Sequence, residues 1–134
     1  MSISRLVLDA YPLMVLFEKE KGFEQVEALL RDAIKEHKTF ILSEINWGEI
    51  YYSLYRAQGE KAAEEALMII DQLPIELYPV DRACVYQAAQ FKAKYPIAYG
   101  DCFAAAVAMK ENLPVLTGDK HFELLKECIT IKWI

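Results

Sequence analysis

The chain has 134 residues, 54% of them hydrophobic and 26% charged, a length and balance that fit one globular domain and exclude a disordered segment. A formal net charge of −5 argues against a general nucleic-acid binder, so any such role must rest on local basic patches or on a cation that reverses the sign of a pocket. No apolar run reaches the roughly 20 residues that span a bilayer. Three widely spaced cysteines (Cys84, Cys102, Cys128) with no CxxC pair argue against a disulfide framework and a zinc site.

In chain order, ISRLVLD (Ile3–Asp9) predicts a short buried strand that ends in an acid. Arg5 and Asp9 interrupt this apolar start and no basic n-region with a clean cleavage site is visible, so no signal peptide is expected. With the cysteine usage, that predicts a cytoplasmic protein. YPLMVLFEKEKG and FEQVEALLRDAIKEHK predict helices; in the second, Phe23, Val26, Leu29, Leu30, Ala33 and Ile34 recur at helical spacing. Phe40–Ser43 predicts a second strand, and Ser43 suits the N-cap of a helix through SEINWGEIYYSLYRAQG. Within it, YYSLY is expected to pack mostly into the core. Lys61–Gln72 predicts a further helix, and IELYPV a third strand whose Pro79 suits an edge or a strand end. Asp81 suits the cap of a helix to about Lys94, and an alanine-rich helix follows Pro96 and runs to about Asn112. PVLTGD, HFELLKE and ITIKWI predict a strand and turn, a short helix and a last strand. Strands alternating with helices, without hairpin signals, predict one α/β domain over residues 1–134 with a mainly parallel central sheet.

In such sheets ligands bind beyond the carboxyl ends of the strands. Asp9 ends the first strand, and Asp119 follows the fourth through Thr117 and Gly118, on the same edge. Asp101 opens the alanine-rich helix, where an acid serves either as a cap and dipole partner or as a cation ligand. Glu49 lies about two turns into its helix, and periodicity leaves open whether it points to solvent or into a polar site. Four converging carboxylates would raise one another's pKa unless they bind a hard divalent cation, for which Mg²⁺ or Mn²⁺ suits oxygen donors.

VLDAY with Asp9, NWGEI with Glu49, AYGDCFAAAVA with Asp101 and LTGDKHF with Asp119 resemble, in order and spacing, the four acidic blocks of PIN-domain ribonucleases, most closely the VapC toxins of toxin–antitoxin pairs. The resemblance spans essentially the whole chain. It implies a three-layer α/β/α sandwich and an endoribonuclease dependent on Mg²⁺, with Mn²⁺ as a substitute, that leaves a 5′-phosphate and a 3′-hydroxyl. Asp9, Glu49 and Asp101 match the strict acids and would hold the metal directly or through water; Asp119 matches the more variable fourth acid. Thr117 falls where the family often has a hydroxyl residue that positions water near the metal. Asn46, one turn before Glu49, either supports the site from behind the acids or is a plain helix-surface residue. Where the family frequently has a hydroxyl residue just after the first acid, this chain has Ala10 and Tyr11, and Tyr11 is left unassigned. The resemblance also implies a homodimer, an RNA substrate and a VapB-like antitoxin that presents an Arg or Lys to the acids.

Several residues are expected to be structural. His121 fits a turn or the core, since it has no evident partner, His37 the surface, and Cys102 small core filler. Lys19, Lys21, Arg31, Arg56, Lys61 and Lys120 are basic residues available to RNA, without an obvious stripe. Asp9-Ala10-Tyr11 supplies neither the adjacent acids of a receiver domain nor the DxD of a dehalogenase-type phosphatase, and no GxxxxGK or GxGxxG is present. A catalytically silent PIN-like module that binds RNA or protein, and a housekeeping RNA-processing nuclease, are the alternatives.

Overall fold

The computed structural model of the chain describes residues 5–134. Five strands, β1 (Val7–Leu8), β2 (Phe40–Ser43), β3 (Ile75–Tyr78), β4 (Val115–Thr117) and β5 (Ile131–Trp133), form one sheet in the order β3-β2-β1-β4-β5. Every pairing is parallel, so all strands end on the same edge. The connections are α1 (Ala10–Glu18), α2 (Phe23–Lys35), α3 (Glu44–Gln58), α4 (Glu60–Gln72), α5 (Arg82–Lys94) and α6 (Tyr99–Glu111), with a 3-10 helix at Lys120–Leu125.

Successive side chains of a strand point to opposite faces, and both faces here are apolar. Val7, Ile41 and Val115 enter one core with Cys84, Ala88 and Phe91 of α5 and the buried residues of α6. Leu8, Phe40, Leu42 and Leu116 enter the other with residues of α1 to α4, among them Leu13, Leu30, Ile50 and Ile70. The result is the expected three-layer α/β/α sandwich, its sheet parallel throughout. Among the described residues, no helix is long and apolar enough to cross a membrane.

Three of the α-helices start on side-chain caps. Asp9 accepts a hydrogen bond from the Tyr11 N–H, Ser43 from the Asn46 N–H, and Asp81 from the Cys84 N–H. Asp9 is therefore a cap beyond β1 rather than a strand residue, and the expected start of that strand at Ile3 lies outside the described residues. The third strand stops at Tyr78, before Pro79, which has no N–H for the ladder. The segment after Asp119 winds as a 3-10 helix.

Tyr51–Tyr55 corrects the expectation of core packing. Leu54 alone of the five is buried, and Tyr52 and Tyr55 are 49% and 45% exposed. A helix against one sheet face buries one stripe, and α3 spends it on Asn46, Ile50 and Leu54.

Helix α6 is buried from Asp101 to Ala108, on every side. It packs on α3, α5 and strands β1, β2 and β4 at once, which small side chains permit. Ala104→Leu is expected to lower stability by about 1–3 kcal/mol through overpacking, read as a lower urea midpoint with an unchanged m-value.

Candidate functional site

The site lies at the edge where the parallel strands end. Strands β2 and β4 flank β1, so the chain's lateral direction reverses between β1 and β4, and such a switch point leaves a crevice. Asp9 and Thr117 stand on its two sides. The Thr117 hydroxyl donates to Asp9 Oδ2 at 2.7 Å and accepts the Asp119 N–H at 3.0 Å. One buried hydroxyl thus ties the acid after β1 to the acid after β4. Thr117 touches the carboxylate of Asp9 directly and meets Asp119 at its main chain.

From the other direction come α3 and α6. Asn46 is fully buried, which rules out its surface reading. Its Oδ1 accepts the Ser43 hydroxyl at 2.7 Å, and its Nδ2 donates to Glu49 Oε1 at 3.1 Å and to the Gly100 carbonyl at 3.0 Å. Glu49, half-buried, is thereby turned toward the start of α6 rather than left to solvent. Gly100 makes this approach possible. A Cβ there would stand 2.7 Å from Glu49 Oε1 and 3.1 Å from its Cδ. Ser43 and Gly100 are site residues that the sequence pattern missed as such, because their contacts with Asn46 and Glu49 appear only in the fold.

Asp101 is 7% exposed and sits in the first turn of α6. The N-cap of that helix is Ala98, and no side chain caps it. Of the two sequence-level readings of Asp101, the cap is therefore absent, while its place near the positive end of the helix remains. Asp119 instead caps the 3-10 helix, accepting from the His121 N–H and meeting His121 Nδ1, both at 2.9 Å. His121 is exposed in the first turn of that 3-10 helix, neither in the core nor without a partner. Tyr11 lies across Gly118: a Cβ on that glycine would come within 2.6 Å of the ring Cζ. The ring is partly exposed, so it packs over the edge of the site and not in the core.

The acids sense one another. Burial pushes Asp9, 1% exposed, well above the usual carboxylate range; its Thr117 and Tyr11 hydrogen bonds oppose the shift, and the Asp101 and Glu49 charges add to it. Glu49 is raised by burial, opposed by Asn46 and assisted by Asp119. Asp101 is raised from 3.8 to about 7, first by burial, then by the charges of Asp119 and Glu49 and a hydrogen bond with Asp119. Among the described residues, no Lys or Arg pairs with any of the four. Nor do three His, Cys, Asp or Glu side chains stand ready-assembled around a metal position. Mutual repulsion of uncompensated carboxylates resists such an assembly. The donors are nevertheless all oxygen, buried at Asp9 and Asp101 and partly so at Glu49 and Asp119, and short of positive charge, the chemistry that fits a hard divalent cation.

A carboxyl whose pKa is raised in the folded state binds its proton more tightly there than in the unfolded chain. Between about pH 4 and pH 7 the folded form therefore carries more protons, and its stability falls as pH rises through that window. In metal-free protein, Asp101→Asn is expected to add about 1–3 kcal/mol at pH 8 and little at pH 4, measured by urea unfolding at both.

Comparison with known proteins gives three findings. The family model described as "PIN domain" matches residues 6–127. No curated protein matches the chain at comparable stringency. Among solved structures, the chain is similar to one from the promoter-DNA-bound VapBC2 complex of Rickettsia felis (TM-score 0.76, 16% identity, 94% of this chain and 96% of that one). It is also similar to a chain of DNA-bound VapBC from Salmonella typhimurium (0.74, 17%, 98% of each). A third is VapC20 of Mycobacterium tuberculosis, a sarcin–ricin-loop-cleaving toxin (0.72, 17%, 87% and 92%). At these identities the likeness is one of fold. With the family model covering nearly the whole chain, this protein belongs to the PIN domain family.

Proposed function

We propose that this protein is a divalent-cation-dependent endoribonuclease, the toxin of a VapBC-type toxin–antitoxin pair. The observation that carries the reading is the desolvation of Asp9, Glu49 and Asp101 together at one sheet edge without a Lys or Arg partner. Membership of the PIN domain family and the likeness to VapC20, a sarcin–ricin-loop-cleaving toxin, support it.

Asp9, Glu49 and Asp101 would hold Mg²⁺ or Mn²⁺, with Asp119 completing that site or a second. When bound, the cation supplies an activated water and neutralises charge that builds on the phosphoryl group. Thr117 fixes the rotamer of Asp9 and, through the Asp119 N–H, the start of the turn that carries the fourth acid. Asn46 locks Glu49 against Gly100, so the carboxylate needs no reordering when substrate arrives. No histidine base is required, and His121 holds Asp119 instead.

The same reading carries a cytoplasmic location, a homodimer and a VapB-like antitoxin. Two of the similar structures are VapBC complexes, and an inserted Arg or Lys from such a partner would relieve the same carboxylates that a cation relieves.

Purified, partner-free protein is expected to cut total cellular RNA at discrete positions in Mn²⁺ and not in EDTA, with 5′-end mapping as the readout. Asp101→Asn should lower the rate by about a hundredfold or more. Cuts that survive EDTA or Asp101→Asn, or none from folded wild type, would overturn the assignment. Gly100→Ala, which pushes on Glu49 without removing a ligand, should lower the same rate about tenfold or more while the unfolding midpoint holds.

A further inference from the structure

Beside the acids, and outside them, lies a recess of about 450 Å³ lined by Gly118, Lys120, Glu123, Trp133 and Ile134. It adjoins the site through the backbone itself, since Gly118 lies between Thr117 and Asp119. Trp133 pairs in register with Thr117 across β4 and β5, and the Ile134 N–H donates to the Thr117 carbonyl at 3.1 Å. The Trp133 backbone therefore lies one strand spacing, about 4.8 Å, from that of the residue that touches Asp9.

Its chemistry is unlike that of the acids. Trp133 is 41% exposed, a large apolar ring left open at the rim of a polar crevice. Lys120 is exposed and, among the described residues, pairs with no acid. Glu123, the one carboxylate side chain of the lining, is engaged by Lys126 at 3.0 Å and so does not oppose an anion fully. An exposed indole and an uncommitted ammonium at one recess match the two halves of a nucleotide, a base with a π face and a phosphate. Gly118 contributes no side chain to the lining, and the Tyr11 ring lies across it.

We propose that this recess seats an unpaired RNA nucleotide next to the phosphate that is cut, with the base stacked on Trp133 and its phosphate paired with Lys120. The proposal rests on the nuclease reading and adds to it two residues, Trp133 and Lys120, that contact the nucleotide beside the cut. A paired base cannot leave its stack to reach the indole without the cost of unpairing.

The test measures binding of a fluorescently labelled, mixed-sequence 12-nucleotide single-stranded RNA to the Asp101→Asn protein. Adding Trp133→Ala should weaken binding about tenfold or more, the scale of one lost base–aromatic stack, and Trp133→Phe should restore most of it. Lys120→Ala should weaken binding and flatten the log–log salt dependence by about 0.7, one phosphate contact on a single strand. An abasic strand of the same length should bind the parent and the Trp133→Ala protein alike. Trp133 fluorescence should be quenched by RNA, with the change absent in Trp133→Phe, where Trp47 is the one remaining indole. Equal affinity of the parent and Trp133→Ala, beside a wild type that cuts RNA in Mn²⁺, overturns the subsite and leaves the nuclease reading standing. A folded wild type that neither cuts nor binds RNA removes both.

Discussion

Desolvation of like charges at one edge of the sheet is the constraint on which this structure turns. Asp9 is enclosed, Asp101 nearly so; burial raises the pKa of both, the Asp101 charge adds to the shift of Asp9, and the charges of Asp119 and Glu49 add to that of Asp101. Left alone, such groups would protonate, swing outward or unfold the edge. Neutral donors prevent the last two: Thr117 and the Tyr11 N–H on Asp9, and Asn46 on Glu49. They fix the positions of the carboxylates and supply no countercharge. A cation of suitable hardness would supply it, as would a basic side chain from a partner, and the two therefore compete for one electrostatic deficit.

The scaffold explains why the deficit can be sustained. A sheet that is parallel throughout delivers the ends of β1, β2 and β4 to one edge, and two apolar cores clamp it from both faces. Helix α6 must come close for Asp101 to take part, and its alanines allow that approach. Gly100 completes the arrangement by leaving room for Glu49. The remodelling of a single methyl group at that position would reach the acids without touching either core.

Much of this was legible in the residues. The alternation of strand and helix signals, and the absence of hairpin turns, led to the parallel sheet, and the resemblance to PIN-domain ribonucleases to the three-layer sandwich. Asp9 and Asp119 could be placed on one edge because each follows a strand. Asn46 and Glu49 could not be oriented, since helical periodicity in NWGEI serves a buried polar cluster and a solvated face equally well. Tyr52 and Tyr55 misled for the related reason that aromatic content does not say which stripe of a helix is buried. Asp101 as a cap was a local reading, overridden when the helix began at Tyr99 with no side-chain cap at all. Gly100 and Trp133 depend on contacts between elements distant in the chain, which no local pattern encodes. The fold is shared with VapC chains at 16–17% identity, so it is the carboxylates and their supports that carry the functional assignment.

The most direct measurement is Mn²⁺ binding to the RNA-free, partner-free protein, followed by electron paramagnetic resonance, in the wild type and in Asp9→Asn, Glu49→Gln and Asp101→Asn. A site built jointly by these acids should bind Mn²⁺ in the wild type and lose about tenfold or more in affinity with each amide. Affinity indifferent to all three substitutions, or no binding by folded wild type, would contradict a shared cation site at this edge.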